Sequence, residues 1–315
     1  MAPSAPSNLI ARLEVQRGLA LEVGEPLAPH STFRIGGPAE VLVEVADEAA
    51  LRRLLAIVED LGAPFFLLGL GSNVLFPDEG LDGVVAHLGG SFTEVEITDE
   101  RVIVGAAVSL AGLARRLAKL GLTGMENLAG FPSTVGGAVY MNAGSYGVEI
   151  KDILVETTII EPDGKLRTLT CEELEPGYRR TVLQGSGAFV TRATFRLQRG
   201  DAEQALAKIN QLNRQRRRSL PSGNPNVGSI FRNPPGGSAG RLIDQCGLKG
   251  TRRGGAQISP KHGNVIVNTE GAQAVEVLEL MISARRAVGE RFGVWLEPEV
   301  VLTGALRERW RESQS

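Results

Sequence analysis

A serine in an unusual setting is the first residue whose type and surroundings suggest chemistry. Ser229 lies in "NVGSIFRNPPG" (226–236), between a glycine and two bulky apolar residues, and Arg232 and Asn233 follow closely. A run that contains a double proline fits neither a helix nor a plain loop. From the residues alone, a serine packed in a turn is the favoured interpretation, although the pattern does not explain why one hydroxyl is placed so firmly.

Two glycine-rich stretches have the composition of phosphate-binding loops. The first, "LLGLGSNVLF" (67–76), carries Gly69, Gly71, Ser72 and Asn73 after an apolar run, so backbone N–H groups could approach a phosphate closely. No Lys-Ser/Thr pair follows, which excludes a P-loop, and the dinucleotide fingerprint G-x-G-x-x-G is absent. A simple turn after a strand is the alternative.

The second stretch, "NLAGFPSTVGGAVYMNAGSYGVE" (127–149), has no charged residue before Glu149. Small residues with hydroxyl and amide donors suit a large flat cofactor that carries a diphosphate. A buried structural loop would have a similar composition, so both interpretations stay open at this point.

Composition excludes several classes of protein. The chain has 315 residues, 43% of them hydrophobic and 22% charged, which is enough for two or three domains with sizeable cores. A net charge of −2 provides no overall field for nucleic acid or an anionic membrane. The two cysteines form no C-x-x-C and the three histidines do not cluster, so neither a disulfide framework nor a metal site is expected. Without a signal-like or long apolar segment, we expect a soluble cytoplasmic protein whose residues Met1 to Ser7 are frayed.

Hydrophobic periodicity predicts alternating helices and strands. A strand at 39–46 and a helix at 47–62 begin a β-α-β unit, and Ser109 is a suitable N-cap for a helix at 109–122. Composition changes near Gly200, where we predict a domain boundary. Further predicted elements are short strands at 84–88, 95–97 and 102–106, a strand-rich region at 153–197, helices at 201–219, 239–248 and 271–293, and strands at 263–268 and 294–304.

Seven motifs occur in an order that resembles the UDP-N-acetylenolpyruvoylglucosamine reductase (MurB) family. The resemblance extends from about His30 to Gly304, and the ordered set is far more specific than any one motif. The motifs are "STFRIGG" (31–37), "LGLGSNVL" (68–75), "GMENLAGFPSTVGGAVYMNAGSYGVE" (124–149), "GYRRT" (177–181), "VGSIFRNP" (227–234), "AGRLIDQCGLKG" (239–250) and "LEPEVVLTG" (296–304).

The resemblance implies an α+β fold with a two-subdomain FAD-binding unit of the vanillyl-alcohol-oxidase (PCMH) type and a C-terminal α+β substrate domain. We expect an N-terminal extension at 1–29, the FAD-binding domain at 30–199, with subdomains at about 30–88 and 89–199, and the substrate domain at 200–315. FAD would be bound non-covalently by residues that match the family's motifs, namely Arg34, Gly69, Leu70, Gly71, Ser72, Asn73, Gly130, Ser133, Thr134, Gly136, Gly137, Asn142 and Gly147.

The implied reaction reduces the enolpyruvyl ether of UDP-N-acetylglucosamine to UDP-N-acetylmuramate, with NADPH as co-substrate. Flavin supplies hydride to the outer vinyl carbon, and the family's proton donor corresponds to Ser229. Arg179 matches the family's catalytic arginine, whose permanent charge suits a carboxylate that becomes an enolate, and Glu299 matches its catalytic carboxylate. Arg180 would point away from the substrate if its segment is extended. Substrate contacts are implied at Tyr178, Arg232 and Asn233.

The chain departs from the family pattern at three points. Ser133 stands where the family usually has glycine, and Arg232 stands where lysine is common. Only residues 198–225 separate the strand "FVTRATFRL" from the serine motif, and they contain no tyrosine. The chain therefore resembles the shorter, second class of the family, which lacks the tyrosine-loop insertion.

Two other functions are compatible with parts of this pattern. An FAD oxidase of the same superfamily would act on an alcohol or hydroxy acid, but such enzymes often attach flavin through a histidine near the diphosphate loop, and residues 67–78 contain none. The second alternative is a non-enzymatic UDP-sugar-binding protein, in which Ser229, Arg179 and Glu299 would have no common function.

Overall fold

The computed structural model describes residues 8–314, so the fraying predicted for Met1 to Ser7 lies outside the described residues. Within that range the α-helices are α1 (Asn8–Glu14), α2 (Glu48–Leu61), α3 (Leu110–Lys119), α4 (Val135–Tyr140), α5 (Ala202–Ser219), α6 (Ala239–Gln245), α7 (Ala274–Phe292) and α8 (Ala305–Glu312). The strands are β1 (Leu19–Val23), β2 (Ala39–Val45), β3 (Phe65–Leu67), β4 (Val74–Leu75), β5 (Leu81–Leu88), β6 (Val95–Thr98), β7 (Arg101–Gly105), β8 (Leu122–Thr123), β9 (Gly144–Ser145), β10 (Val148–Glu149), β11 (Leu154–Ile160), β12 (Leu166–Thr170), β13 (Phe189–Arg196), β14 (Gln198–Arg199), β15 (Arg252–Arg253), β16 (Ala256–Ile258), β17 (Ile266–Asn268) and β18 (Val301–Leu302).

The described residues group into two compact units. Unit 1 contains the chain up to Val23 together with Val41–Gly69 and Gly83–Arg214. Unit 2 contains Gly24–Glu40, Leu70–Asp82 and the chain from Gln215 onward. The mixture of helices and strands in both confirms the predicted α+β class. The domain boundaries inferred from the sequence stay predictions.

The first layer of unit 1 is a four-stranded sheet in the order β1-β2-β5-β3. Helix α2 packs its apolar face, which includes Leu51 and Leu54, into the same core as Val43 and Val84. This helix begins where the sequence predicts, because the Asp47 carboxylate accepts a hydrogen bond from the Ala50 N–H (2.7 Å).

The second layer of unit 1 is a five-stranded antiparallel sheet in the order β12-β11-β13-β7-β6. Helix α3 packs against it through Leu110, Leu113 and Leu117, which are buried in the same core as Val104 and Phe195. Ser109 caps α3 as predicted, since its hydroxyl accepts from the Gly112 N–H (3.3 Å).

Unit 2 is built on α7 and a three-stranded sheet in the order β15-β16-β17. Its core includes Met281 of α7, Ile258 of β16 and Phe231, which lies two residues after Ser229 in the serine motif. Asp78 caps α7 from a distant part of the chain, because its carboxylate accepts from the Ala274 N–H (2.9 Å). Strand β18 runs parallel to β4.

Two predicted strands are shorter in the structure, and one extended segment is a turn. Residues 294–300 do not form a regular strand: Pro298 has no N–H to donate and makes only an isolated bridge to Phe231, so the predicted strand at 294–304 contracts to β18. The predicted strand at 263–268 is β17 alone. Residues 177–180 form a tight turn closed by hydrogen bonds between Gly177 and Arg180, so the extended geometry assumed for Arg180 was wrong.

Candidate active site

The segment that follows Ser229 has its backbone polar groups fully engaged within unit 2. The Ile230 N–H donates to the carbonyl of Asn264 (2.9 Å), and the Ile230 carbonyl accepts from the Glu299 N–H (2.8 Å). The Arg232 N–H donates to the carbonyl of Glu297 (2.9 Å). These bonds place the Ser229 segment beside the chain that carries Glu299.

Ser229 itself is half-buried, and its hydroxyl makes no hydrogen bond to any group within residues 8–314. It follows Gly228, whose φ of 76° lies in the left-handed region that glycine adopts without strain. The Gly228 N–H donates to the side-chain oxygen of Asn226 (3.1 Å), which fixes the approach to the serine. The hydroxyl is therefore held at a defined place and is available to a ligand.

Asn264 is the residue of this site that sequence reasoning missed. It is only 3% exposed, and its side chain accepts from the Phe231 N–H (2.9 Å) and donates to the Phe231 carbonyl (2.8 Å). An asparagine in "KHGNVIVN" gives no local signal of this role, because the partner lies 33 positions earlier.

Asn73, predicted to hold the FAD diphosphate, contacts the Glu299 segment directly. Its side-chain N–H donates to the Glu299 carbonyl (3.0 Å), and its own carbonyl accepts from the Val301 N–H (3.0 Å). These bonds continue into the parallel pairing of β4 with β18. Ser229, Glu299 and Asn73 are thus brought together within unit 2.

The two predicted substrate-binding residues after Ser229 differ in environment. The Nε atom of Arg232 is buried and has no hydrogen-bond partner among residues 8–314. A buried guanidinium donor without a partner is costly unless a ligand supplies an acceptor. Asn233 is exposed, and its side-chain oxygen accepts from the Ala239 N–H (3.0 Å) at the start of α6.

Arg179 lies in the tight turn 177–180 of unit 1. Its φ is 55°, a conformation that costs a residue other than glycine roughly 1 kcal/mol or more. Its guanidinium donates to the Gly144 carbonyl (3.0 Å) and lies 5.0 Å from the ring centre of Tyr178, which is 47% exposed. The turn therefore holds an arginine and an exposed tyrosine side by side.

Asn142 holds this turn in place through its side-chain hydrogen bonds. Its side chain is 1% exposed, donates to the Gly177 carbonyl (2.8 Å) and to the Glu149 carboxylate (3.1 Å), and accepts from the Lys151 N–H (3.0 Å). The amide is thus committed to protein groups. Its predicted contact with FAD stays a prediction.

The predicted cofactor residues of unit 1 include a place where only glycine fits. A Cβ on Gly69 would lie 2.9 Å from the hydroxyl oxygen of Thr134, the N-cap of α4. Gly136 has the same property toward Ala106 (2.9 Å), and the Ala106 carbonyl accepts from the Gly136 N–H (2.8 Å). Packing within unit 1 therefore requires glycine at these two positions. The backbone N–H groups and the Thr134 hydroxyl of this stretch have the donor chemistry that a diphosphate-bearing cofactor such as FAD needs.

The remaining predicted cofactor residues of this region vary in exposure. Gly137 and Gly147 are exposed, and a Cβ on Gly147 would meet nothing within 4 Å. Gly130 and Ser133 are half-buried, and the Ser133 carbonyl accepts from the Leu110 N–H (2.9 Å). Ser133, which replaces the family's usual glycine, thus takes part in anchoring α3.

In unit 2, the loop 70–73 is fixed against residues 30–32. Gly71 has a φ of 60°, and a Cβ there would lie 2.0 Å from the His30 carbonyl oxygen. The Thr32 N–H donates to the Gly71 carbonyl (3.0 Å). Leu70 is 42% exposed and Ser72 is half-buried.

Arg34, predicted to lie near the flavin, is exposed, with a φ of 57°. Its guanidinium donates to the Pro29 carbonyl (3.0 Å).

Residues 8–314 lack two features that would point to other functions. No group of three or more His, Cys, Asp or Glu side chains has an arrangement suited to a metal ion. None of the helices in this range combines the length and the apolar composition that crossing a bilayer requires.

Two family models match the chain. Residues 39–170 match a model described as an FAD binding domain, and residues 220–303 match the C-terminal domain of UDP-N-acetylenolpyruvoylglucosamine reductase. The first match includes the close approach of Gly69 to Thr134, and the second includes Ser229, Asn264 and Glu299.

Curated relatives and a solved structure are similar over most of the chain. UDP-N-acetylenolpyruvoylglucosamine reductase 2 of Symbiobacterium thermophilum is 44% identical over 280 residues, which are 89% of this chain and 91% of the relative. The Bacillus subtilis enzyme of the same name is 40% identical over 284 residues, or 90% and 94% of the two chains. The crystal structure of the reductase (MurB) from Thermus caldophilus covers 91% of this chain and 99% of its own, with a TM-score of 0.77 at 38% identity. This chain belongs to the UDP-N-acetylenolpyruvoylglucosamine reductase family.

Proposed function

We propose that this protein is an FAD-dependent reductase that converts UDP-N-acetylglucosamine enolpyruvate to UDP-N-acetylmuramate, with NADPH as the reductant. The observation that carries the proposal is the fixed Ser229 segment, which hydrogen-bonds the Glu299 backbone (2.8 Å from its N–H to the Ile230 carbonyl) and leaves the serine hydroxyl available. Membership of the reductase family supports the choice of substrate. The reaction would take place in the cytoplasm, as a step in making peptidoglycan precursors.

The chemistry that bound FAD would supply is hydride transfer, from NADPH to the outer vinyl carbon of the enol ether. The carbon that bears the carboxylate then needs a proton. Ser229 would give it from its hydroxyl, which is a weak acid in water but sufficient for a carbanionic acceptor at close range. Hydride and proton together saturate the double bond, and NADP⁺ is released.

The negative charge that develops on the substrate carboxylate needs a cationic partner. Arg179 would supply a permanent charge, and the turn that carries it is held by the Asn142 amide (2.8 Å to the Gly177 carbonyl). Glu299 would orient or protonate the same carboxylate. Arg232, with its unpartnered buried Nε, Asn233 and the exposed Tyr178 would bind other parts of the UDP-sugar.

The residues that would hold FAD are those that match the family's motifs. Gly69 and Thr134, which lie against each other in unit 1, would belong to this set, and Gly71 with Ser72 and Asn73 would contribute backbone and side-chain donors to the diphosphate. Leu70, Gly130, Ser133, Gly136, Gly137, Asn142, Gly147 and Arg34 complete the proposed set.

The experiment that tests this function is anaerobic stopped-flow spectroscopy of the purified holoenzyme. NADPH should bleach the visible absorbance of the flavin, and UDP-N-acetylglucosamine enolpyruvate should restore it with formation of the reduced sugar. Reduced enzyme that ignores the enolpyruvyl sugar and reacts rapidly with oxygen would instead indicate an oxidase. A purified protein that releases no flavin on denaturation would support simple UDP-sugar binding.

A further inference from the structure

We propose that Asn264 is a positioning residue that sets the location of the Ser229 hydroxyl for proton transfer. The inference rests on the proposed function, because it presumes that Ser229 is the proton donor. Asn264 acts through the backbone of Ile230 and Phe231 and does not touch the serine side chain.

Asn264 forms the hydrogen bonds that a neighbouring strand would otherwise provide to the residues after Ser229. Its backbone carbonyl accepts from the Ile230 N–H (2.9 Å), and its side-chain amide pairs with both backbone groups of Phe231 (2.9 and 2.8 Å). A primary amide offers one acceptor and a donor in a geometry similar to that of a peptide group, so it can substitute for one residue of a neighbouring strand.

Burial makes these bonds effective. Asn264 is 3% exposed and Phe231 is 1% exposed, so water does not compete for their polar groups. Phe231 also packs its ring 6.2 Å from the ring centre of Trp310 in the core of unit 2. A shift at Phe231 would therefore cost both packing and hydrogen bonds.

The other side of the same segment is held by the chain that carries Glu299. The Ile230 carbonyl accepts from the N–H groups of Glu299 (2.8 Å) and Val300 (3.3 Å). The residues after Ser229 are thus held by hydrogen bonds on both sides, to Asn264 and to the Glu299 segment. Asn264→Ala would keep the backbone hydrogen bond to Ile230 but would lose both side-chain hydrogen bonds to Phe231, so the segment after Ser229 would be held less firmly and the distance of the Ser229 hydroxyl from a substrate carbon would vary more.

Asn264 is itself fixed by its neighbour. The Asn264 N–H donates to Nδ1 of His262 (3.2 Å), and Asn264 lies at the entry to β17. The backbone from which the amide projects is therefore ordered independently of Ser229.

The test compares two half-reactions of the FAD-loaded Asn264→Ala variant by anaerobic stopped-flow. Reduction by NADPH does not involve the serine proton and should proceed at the wild-type rate. Reoxidation by UDP-N-acetylglucosamine enolpyruvate should slow by about 10- to 100-fold, the effect expected when a catalytic group is misplaced by about 1 Å. The solvent deuterium isotope effect on reoxidation should rise, because proton transfer becomes more nearly rate-limiting.

Asp78→Ala is the matched control. It also removes side-chain hydrogen bonds to a backbone N–H in unit 2, at the start of α7 (2.9 Å), although these bonds are only partly buried, and it has no hydrogen bond to the Ser229 segment. It should lower thermal stability and leave both half-reactions unchanged. Asn264→Asp keeps the acceptor for the Phe231 N–H and loses the donor, so its reoxidation rate should fall between those of wild type and Asn264→Ala.

The outcomes separate this inference from the proposed function. If the wild-type reduced enzyme does not react with the enolpyruvyl sugar, both are overturned. If wild type reacts and Asn264→Ala reoxidises as fast as Asp78→Ala, only the positioning role is overturned. If Asn264→Ala does not retain FAD, the Asn264→Asp variant makes the same comparison, and wild-type reoxidation there contradicts the inference.

Discussion

Asn142→Ala should destabilise unit 1 and loosen the turn that carries Arg179. The substitution removes three hydrogen bonds of a side chain that is 1% exposed and leaves the Gly177 carbonyl and the Lys151 N–H without their partners. An orphaned buried group costs roughly 1–3 kcal/mol, and because these bonds are only partly buried we expect a loss of about 2 kcal/mol from all of them. Alanine at a φ of 41° adds roughly 1 kcal/mol, because asparagine tolerates this conformation better.

Asn142→Gly isolates the backbone contribution. Glycine loses the same three hydrogen bonds but adopts a φ of 41° without strain, so it should be roughly 1 kcal/mol less destabilising than alanine. Urea unfolding of FAD-saturated protein, followed by circular dichroism, measures both free energies, and steady-state turnover should fall in both variants. A loss below about 1 kcal/mol in both would refute the claim that Asn142 supports the Arg179 turn.

Three further predictions concern other parts of the molecule. Asp78→Ala should lower the free energy of unfolding by about 1 kcal/mol, since Asp78 caps α7 at the Ala274 N–H; an unchanged urea midpoint would contradict this cap. Burial, and to a smaller extent the charge of Lys249, lowers the pKa of His262. As pH falls below about 6.5, the unfolded chain therefore binds a proton before the folded chain does, so the folded state loses stability in acid. His262→Gln should make the melting temperature fall less between about pH 7 and pH 5. The same fall in wild type and variant would contradict this assignment. Burial raises the pKa of the Cys171 thiol, so iodoacetamide at about pH 8 should alkylate it more slowly than in urea-unfolded protein, and equal rates would show that the thiol is not shielded.

Local patterns predicted the helices well because their signals lie within each segment. Helices α2 and α3 begin after Asp47 and Ser109, whose side chains cap them, and α2 ends at Gly62 in the left-handed conformation. Apolar spacing then determined which faces are buried. The same approach failed for residues 294–300, where the apolar and acidic alternation suggested a strand but Pro298 and a single bridge to Phe231 prevent a ladder.

The supports of the candidate site could not be predicted, because they depend on contacts between distant residues. Asn264 pairs with Phe231, 33 positions away, and Asn73 donates to Glu299, 226 positions away. Nothing in the sequence around Asn264 distinguishes it from a loop asparagine, and the motif that contains Asn73 predicted a contact with a diphosphate, not one with Glu299. The motifs predict which residues act in the site, and the fold determines which residues hold them.

The proton-donor role of Ser229 is the central claim, and the most direct test is the rate at which UDP-N-acetylglucosamine enolpyruvate reoxidises the NADPH-reduced Ser229→Ala enzyme. We predict normal reduction by NADPH and reoxidation slower by about 10²- to 10⁴-fold, the usual contribution of general acid catalysis. Reoxidation at the wild-type rate would contradict the account and leave Ser229 as a residue that only packs in its turn.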